Sequence, residues 1–182
     1  MLKDSHAGMD ALLREMRYLD AHHARIGVLS GPAKGGNVQA GDAKRRPSGR
    51  RFRRGHSGGP SLTVAEVFNF HENGLRGTLG PGHNYKRSSI GWVEENKRSE
   101  IREFLVDVVD LVISGRMSGK DALYFAGEKT QSLVKARIVS GIPPALNPDY
   151  LEYKSHAGGK ATPLIWTGQL LNSVRYQVVK SL

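Results

Sequence analysis

The stretch Ser173-Val-Arg-Tyr-Gln-Val-Val-Lys180 alternates Val174, Tyr176 and Val178 with Arg175, Gln177 and Val179, the period of two expected of a half-buried strand. A second short run of the same kind lies far upstream, Ala24-Arg-Ile-Gly-Val-Leu-Ser30, where Ile26 and Val28 alternate with Arg25 and Gly27. Two such strands at opposite ends of a chain, with helical patterns between them, predict an α+β fold in which the first and last strands pair. The segments between them specify a small, mostly antiparallel sheet packed by two long helices. The first, Trp92–Ser114, sets Ile101, Phe104, Leu105, Val108 and Val112 on one face and Glu94, Glu95, Lys97, Arg98 and Glu103 elsewhere. The second, Ser118–Ser140, opens on Ser118-Gly-Lys-Asp121, carries Leu123, Ala126, Leu133, Val134 and Ile138, and stops at Gly141 before Pro143-Pro144.

Shorter elements surround this frame. Asp10–His23 holds Leu12, Met16 and Leu19 at i, i+4 and i+7, with Asp4 or Ser5 as candidate caps. Thr63-Val-Ala-Glu66 is a capping box, followed by Val64, Val67, Phe68 and His71 at helical spacing and by Gly74 where a helix ends. Leu75–Gly91 and Ile142–Pro163 are punctuated by Gly and Pro and read as irregular. Pro143 and Pro144 end the preceding helix and hold the chain extended, and Thr167-Gly-Gln-Leu-Leu171 is a capped turn of helix. In that last segment Trp166 and Leu170 are expected to seat the chain on the core.

The charge is concentrated. The 182 residues carry a net +10, yet Lys34, Lys44, Arg45, Arg46, Arg50, Arg51, Arg53 and Arg54 face only Asp42, so the segment from Lys34 to Gly55 holds +7 and the remainder +3. Val38 is the only aliphatic side chain larger than Ala between Gly31 and Ser61. Such a segment cannot bury enough apolar surface to offset an ordering cost of about 1–2 kcal/mol per residue. Residues 31–60 therefore read as a long basic irregular arm inserted after the first strand, between residues 1–30 and the rest of one α+β domain at 61–182.

Several classes of chemistry are excluded. With no cysteine there is no disulfide scaffold, thiolate metal site or cysteine nucleophile. No apolar run is long enough for a membrane span, and Met1-Leu2-Lys3-Asp4 is not followed by the apolar stretch of a signal peptide. Gly55-His-Ser57-Gly-Gly59 matches a nucleophile elbow by letter, but Arg50-Arg-Phe-Arg-Arg54 before it cannot be the buried strand that an elbow requires. Gly119-Lys120 and Gly159-Lys160 lack the remainder of a phosphate loop. His71-Glu72 has no second His four residues on, and the adjacent His22 and His23 would point to different sides of a helix. Glu94-Glu95 reads as a solvated face. No catalytic residue, metal ligand or cofactor is expected.

The loops around the last helix and strand carry a resemblance. Gly141-Ile-Pro-Pro-Ala-Leu-Asn-Pro-Asp-Tyr150 with Lys154, then Pro163-Leu-Ile-Trp-Thr-Gly-Gln-Leu-Leu-Asn-Ser173, is similar to the tail-completion or neck proteins of tailed bacteriophages, including their Mu-like virion-morphogenesis relatives. Ile26-Gly-Val-Leu29 and His71-Glu-Asn-Gly74 resemble the early strand and short-helix end of that family. Asn73 stands where the family has Phe, and residues 84–90 replace its Pro-x-Arg-x-Phe stretch. The resemblance implies a non-enzymatic virion protein, made in the bacterial cytoplasm and located at the neck. It implies a homo-oligomeric ring in contact with portal or head-connector proteins and with the tail. Pro143, Pro144, Lys154, Thr167, Gly168 and Leu170 would then be structural or interfacial. Lys44, Arg45, Arg46, Arg50, Arg51, Phe52, Arg53 and Arg54 form the interaction segment, which would order on a neighbouring subunit or the portal region, or contact packaged DNA. In the DNA case, eight neutralised phosphates would give a salt slope of about −7. The alternative function is a basic nucleic-acid-binding protein acting through that arm.

Overall fold

In the computed structural model, residues 3–28, 63–74, 86–156, 162–165 and 168–181 are described. The alternating runs pair as expected. β1 (His22–Val28) and β2 (Val174–Lys180) form an antiparallel two-stranded sheet with Ile26 opposite Tyr176 and Val28 opposite Val174. Mixed with helices α1 (Lys3–Ala21), α2 (Val64–Asn73), α3 (Ile90–Asn96), α4 (Arg98–Ile113), α5 (Gly119–Val139), α6 (Pro148–His156) and α7 (Gln169–Ser173), this makes the chain α+β.

The chain divides into two compact units. The first contains α1, the sheet, α3, α4 and most of α5. Its core gathers Val108 and Val112 of α4 with Ala122 of α5, and Leu19, Phe104 and Met117 pack against that cluster. α5 lies directly on β2. Gly127 faces the Tyr176 ring, and the Gln131 amide oxygen accepts the Tyr176 N–H at 3.2 Å. α1 reaches the start of α5, where the Glu15 carboxylate accepts the Gly119 N–H at 2.8 Å, one of the donors a helix N-terminus leaves unpaired. A side chain at Gly119 would meet the Glu15 carbonyl oxygen at 2.8 Å, so this approach requires glycine.

The second unit holds α2, α6, α7 and the chain around Ile138–Ile142. Its buried side chains include Val64 and Phe68 of α2, Ile138, Ile142, Ile165 and Leu170. The capping box forms in full. Thr63 Oγ1 accepts the Glu66 N–H at 3.2 Å, while the Glu66 carboxylate accepts the Thr63 N–H at 2.7 Å and its hydroxyl at 2.9 Å. These bonds hold the Glu66 carboxyl below its usual range, the backbone bond first and the hydroxyl second.

Five local expectations change. α1 starts at Lys3 and ends at Ala21, so Asp4 and Ser5 lie within the helix. His22 and His23 belong to β1. His22 Nδ1 donates to the Tyr18 carbonyl at 2.9 Å and its ring stacks on Tyr18 at 4.0 Å, closing the end of α1 where a terminal carbonyl lacks a helical partner. The helix expected over Trp92–Ser114 breaks at Lys97, whose φ of −118° and ψ of 8° are not helical. Neither Gly nor Pro causes the break. Asn96 Nδ2 donates to the Trp92 carbonyl at 2.8 Å, a local alternative to helix continuation, while Lys97 reaches Glu100 at 2.9 Å. Residues 148–156, expected as loop, form α6: Asn147 Oδ1 accepts the Asp149 N–H at 2.9 Å and Pro148 takes the first helical position. The chain bends at Pro143 and Pro144, which are joined by a cis peptide bond, and is not held extended there.

Candidate assembly surface

The residues singled out by sequence fall in three places. The arm residues Lys44, Arg45, Arg46, Arg50, Arg51, Phe52, Arg53 and Arg54 lie outside the described residues, as do Ser57, Trp166 and Thr167. Lys154 falls in α6, and its side chain is likewise outside them. The others belong to the second unit. Leu170 is buried in α7. Gly168 opens that helix at a φ of +85°, a left-handed value suited to glycine, and its carbonyl accepts the Asn172 N–H at 2.9 Å. Pro144 offers its carbonyl to Arg87 Nη2 at 3.0 Å, and Pro143 is exposed.

That proline carbonyl belongs to a small polar cluster. Arg87 N–H also donates to the His71 carbonyl at 2.8 Å, and the Ser88 hydroxyl donates to Glu72 at 2.7 Å. Burial pushes the His71 imidazole below its usual pKa. The Arg87 charge acts in the same sense, and Glu72 opposes both. The cluster ties residues 87–88, directly before the buried Ser89, to the end of α2.

In the first unit a second polar cluster fixes α4. Glu100 accepts Lys129 Nζ at 2.7 Å and Lys97 Nζ at 2.9 Å, and these two bonds lower its carboxyl pKa to about 2, Lys129 contributing more. The Arg137 guanidinium stacks over the Trp92 ring at 4.2 Å, anchoring α3 on α5. These groups position helices. Among the described residues no group of three His, Asp or Glu side chains is placed to hold a metal ion.

What the helices leave uncovered is apolar. Met9, Leu13 and Met16 recur at i, i+4 and i+7 on α1 and are 57%, 44% and 41% exposed, while Leu19 on the inner face joins the core. Met16 therefore does not belong to the buried stripe expected of it, and Leu105 of α4 is likewise turned outward. On α4, Val106 and Ile113 lie two turns apart and are both more than half exposed, on the side away from Val108 and Val112. α5 adds Phe125, again outward. Scattered single apolar residues on a surface need no explanation, but runs at helical spacing are the form that a protein–protein contact takes.

No family model, curated protein or solved structure matches this chain.

Proposed function

We propose that this chain is a structural subunit of a tailed-bacteriophage virion: a neck or tail-completion protein that forms a homo-oligomeric ring between the portal or head-connector proteins and the tail. It performs no reaction of its own in this reading, is made in the bacterial cytoplasm and resides at the virion neck. The observation that carries the proposal is the Met9, Leu13 and Met16 face of α1, an apolar stripe on a helix whose other side already serves the core. Burying such a stripe against another subunit gains roughly 25 cal/mol for each Å² removed from water, and the isolated chain forgoes that gain. The motif around Pro144 and Leu170 supports the same reading, because Pro144 accepts a hydrogen bond from Arg87 and Leu170 is buried within the second unit.

Mass measurement on the full chain, alone and with co-expressed portal and tail proteins, tests it, together with imaging of the protein in assembled particles. A monomer under every condition, or a protein absent from the neck, refutes the proposal. The second reading, a nucleic-acid-binding protein, rests on the +7 concentrated between Lys34 and Gly55. Deleting residues 31–60 separates the two. A neck subunit keeps its fold and particle location, whereas a nucleic-acid binder loses retention on duplex DNA.

A further inference from the structure

The outer face of α4 carries more than exposed valine and isoleucine. Glu103, Asp107 and Asp110 recur at i, i+4 and i+7, so their carboxylates form a line along the helix beside Val106 and Ile113. All three acids are exposed, and none forms an ion pair with a described residue. Like charges at these spacings repel each other along a helix, so the line is unfavourable until a cation meets it. Arg102 is the cation on this face. With Ser99, Glu103, Val106 and Asp107 it lines an open depression of about 420 Å³.

We infer that this face receives the Arg50-Arg-Phe-Arg-Arg54 stretch of a neighbouring copy of the chain. The inference deepens the ring reading and rests on it, since a neighbouring copy must be present. Four guanidinium groups match three carboxylates, and Phe52, the single large apolar side chain of the arm, matches Val106 and Ile113. The occupant is within reach. Thr63 anchors the near end, and at full extension the chain carries Arg54 about 30 Å and Arg50 about 45 Å from it, at least a small domain's width. A contact from the arm of one copy to α4 of the next uses two different surfaces, and such head-to-tail contacts close into rings when the rotation permits. The acids of this face would repel phosphate and favour a basic peptide.

The test uses full-length chains with two sets of substitutions, Glu103→Lys/Asp107→Lys/Asp110→Lys on α4 and Arg50→Glu/Arg51→Glu/Arg53→Glu/Arg54→Glu on the arm. Far-UV circular dichroism checks that each variant retains its fold, and association is read by mass distribution at low salt. Each variant alone is expected to associate at least ten-fold more weakly than the parent, whose own association weakens as salt rises. Mixing the two variants restores association, because the reversed charges now complement each other between chains. An α4 variant with the parental mass distribution overturns the inference and leaves the ring reading standing. Recovery only when both sets are combined in one chain, with none on mixing, overturns it in favour of an arm folded on its own α4. An arm variant that loses duplex-DNA retention without any change in mass assigns the arm to DNA and likewise overturns it. A parental chain that is monomeric alone and with its neck partners overturns both readings.

Discussion

Gly127→Ala is the sharpest test of how α5 docks on the sheet. A methyl group at this position would strike Cδ2 of Tyr176 and approach its Cγ at 2.7 Å and its Cβ at 3.1 Å, well inside the 3.5–4.0 Å of a comfortable carbon contact. The ring has little freedom to yield. Tyr124 meets it edge-on with centroids 6.0 Å apart, and Tyr176 N–H is held by Gln131. Its Cβ can move only with the strand. Two terms oppose each other. Alanine in a helix interior gains about 1 kcal/mol over glycine, while overpacking costs about 1–3 kcal/mol. With atoms this close to the β2 backbone the cost sits in the upper half of that range, leaving a net loss of about 1–2 kcal/mol. For a chain of this size that lowers Tm by about 2–8 °C, read by thermal unfolding of the full chain followed by circular dichroism. The same substitution in a Tyr176→Ala background removes Cγ and Cδ2 from the conflict and exposes the helix gain, so it is expected to be neutral or stabilising by up to about 1 kcal/mol. A Gly127→Ala chain as stable as the parent, or an equal effect in both backgrounds, refutes the packing argument.

Thr63→Ala removes the hydroxyl that caps α2 and is expected to cost about 1 kcal/mol, read as faster hydrogen exchange at the Glu66 and Val67 amides. The buried His71 has a folded pKa below its unfolded value of 6.5, so the unfolded chain binds its proton first. Its contribution to stability is complete above pH 6.5 and falls as pH drops from there through the lower folded pKa; denaturant midpoints measured across that range lose this dependence in His71→Gln. Glu100 stays ionised down to about pH 2, and its stabilising bonds are present above the ordinary 4.5 and lost as pH falls through about 2; its carboxyl resonance followed by NMR shows that midpoint, which moves up in Lys129→Met. Leu13→Glu, on the exposed face of α1, is expected to leave stability within about 0.5 kcal/mol of the parent while shifting the mass distribution toward smaller species.

The sheet was legible because the two alternating runs are short, bounded by turn residues and matched in length. The helix starts at Thr63 and Ser118 were legible because a hydroxyl followed three residues later by an acid has one economical geometry, as Ser118 shows by accepting the Asp121 N–H at 3.1 Å. The first turns of α1 were not legible: Lys3-Asp-Ser-His-Ala-Gly8 has no apolar period, and the helix continues through it unopposed by any proline. α6 had its signal in Asn147-Pro148-Asp149, but the exposed Tyr150 and Glu152 leave it without a strong stripe. The break at Lys97 has neither Gly nor Pro to mark it, and the bonds that accompany it, Asn96 to the Trp92 carbonyl and Lys97 to Glu100, join residue types and spacings equally at home in a continuous helix. Leu170 was expected to seat its segment on the core and is buried, whereas the outward faces of α1 and α4 were not anticipated. Periodicity says which residues share a face; it does not say which face another element covers, and so Met16 and Leu105 were assigned to the core they flank.

That distinction between inner and outer faces bears on function. In α1 and α4 the residues needed for folding, Leu19, Phe104, Val108 and Val112, occupy one side of each helix. Met9, Leu13, Val106 and Ile113 occupy the other, are only about half covered, and give the isolated chain only part of the free energy that apolar burial supplies. A helix optimised only to hold this fold would carry Lys, Glu or Gln at those positions, residues of higher helix propensity than Val or Ile and better hydrated. Val106 and Ile113 are thus slightly unfavourable for the monomer, and so is the line of Glu103, Asp107 and Asp110 beside them. Two costs on the same face, one of apolar surface left in water and one of charge, have opposite remedies: a purely apolar partner would relieve the first and aggravate the second. A basic segment that also carries an aromatic side chain relieves both at once, and the most densely charged such segment in the sequence is Arg50-Arg-Phe-Arg-Arg54.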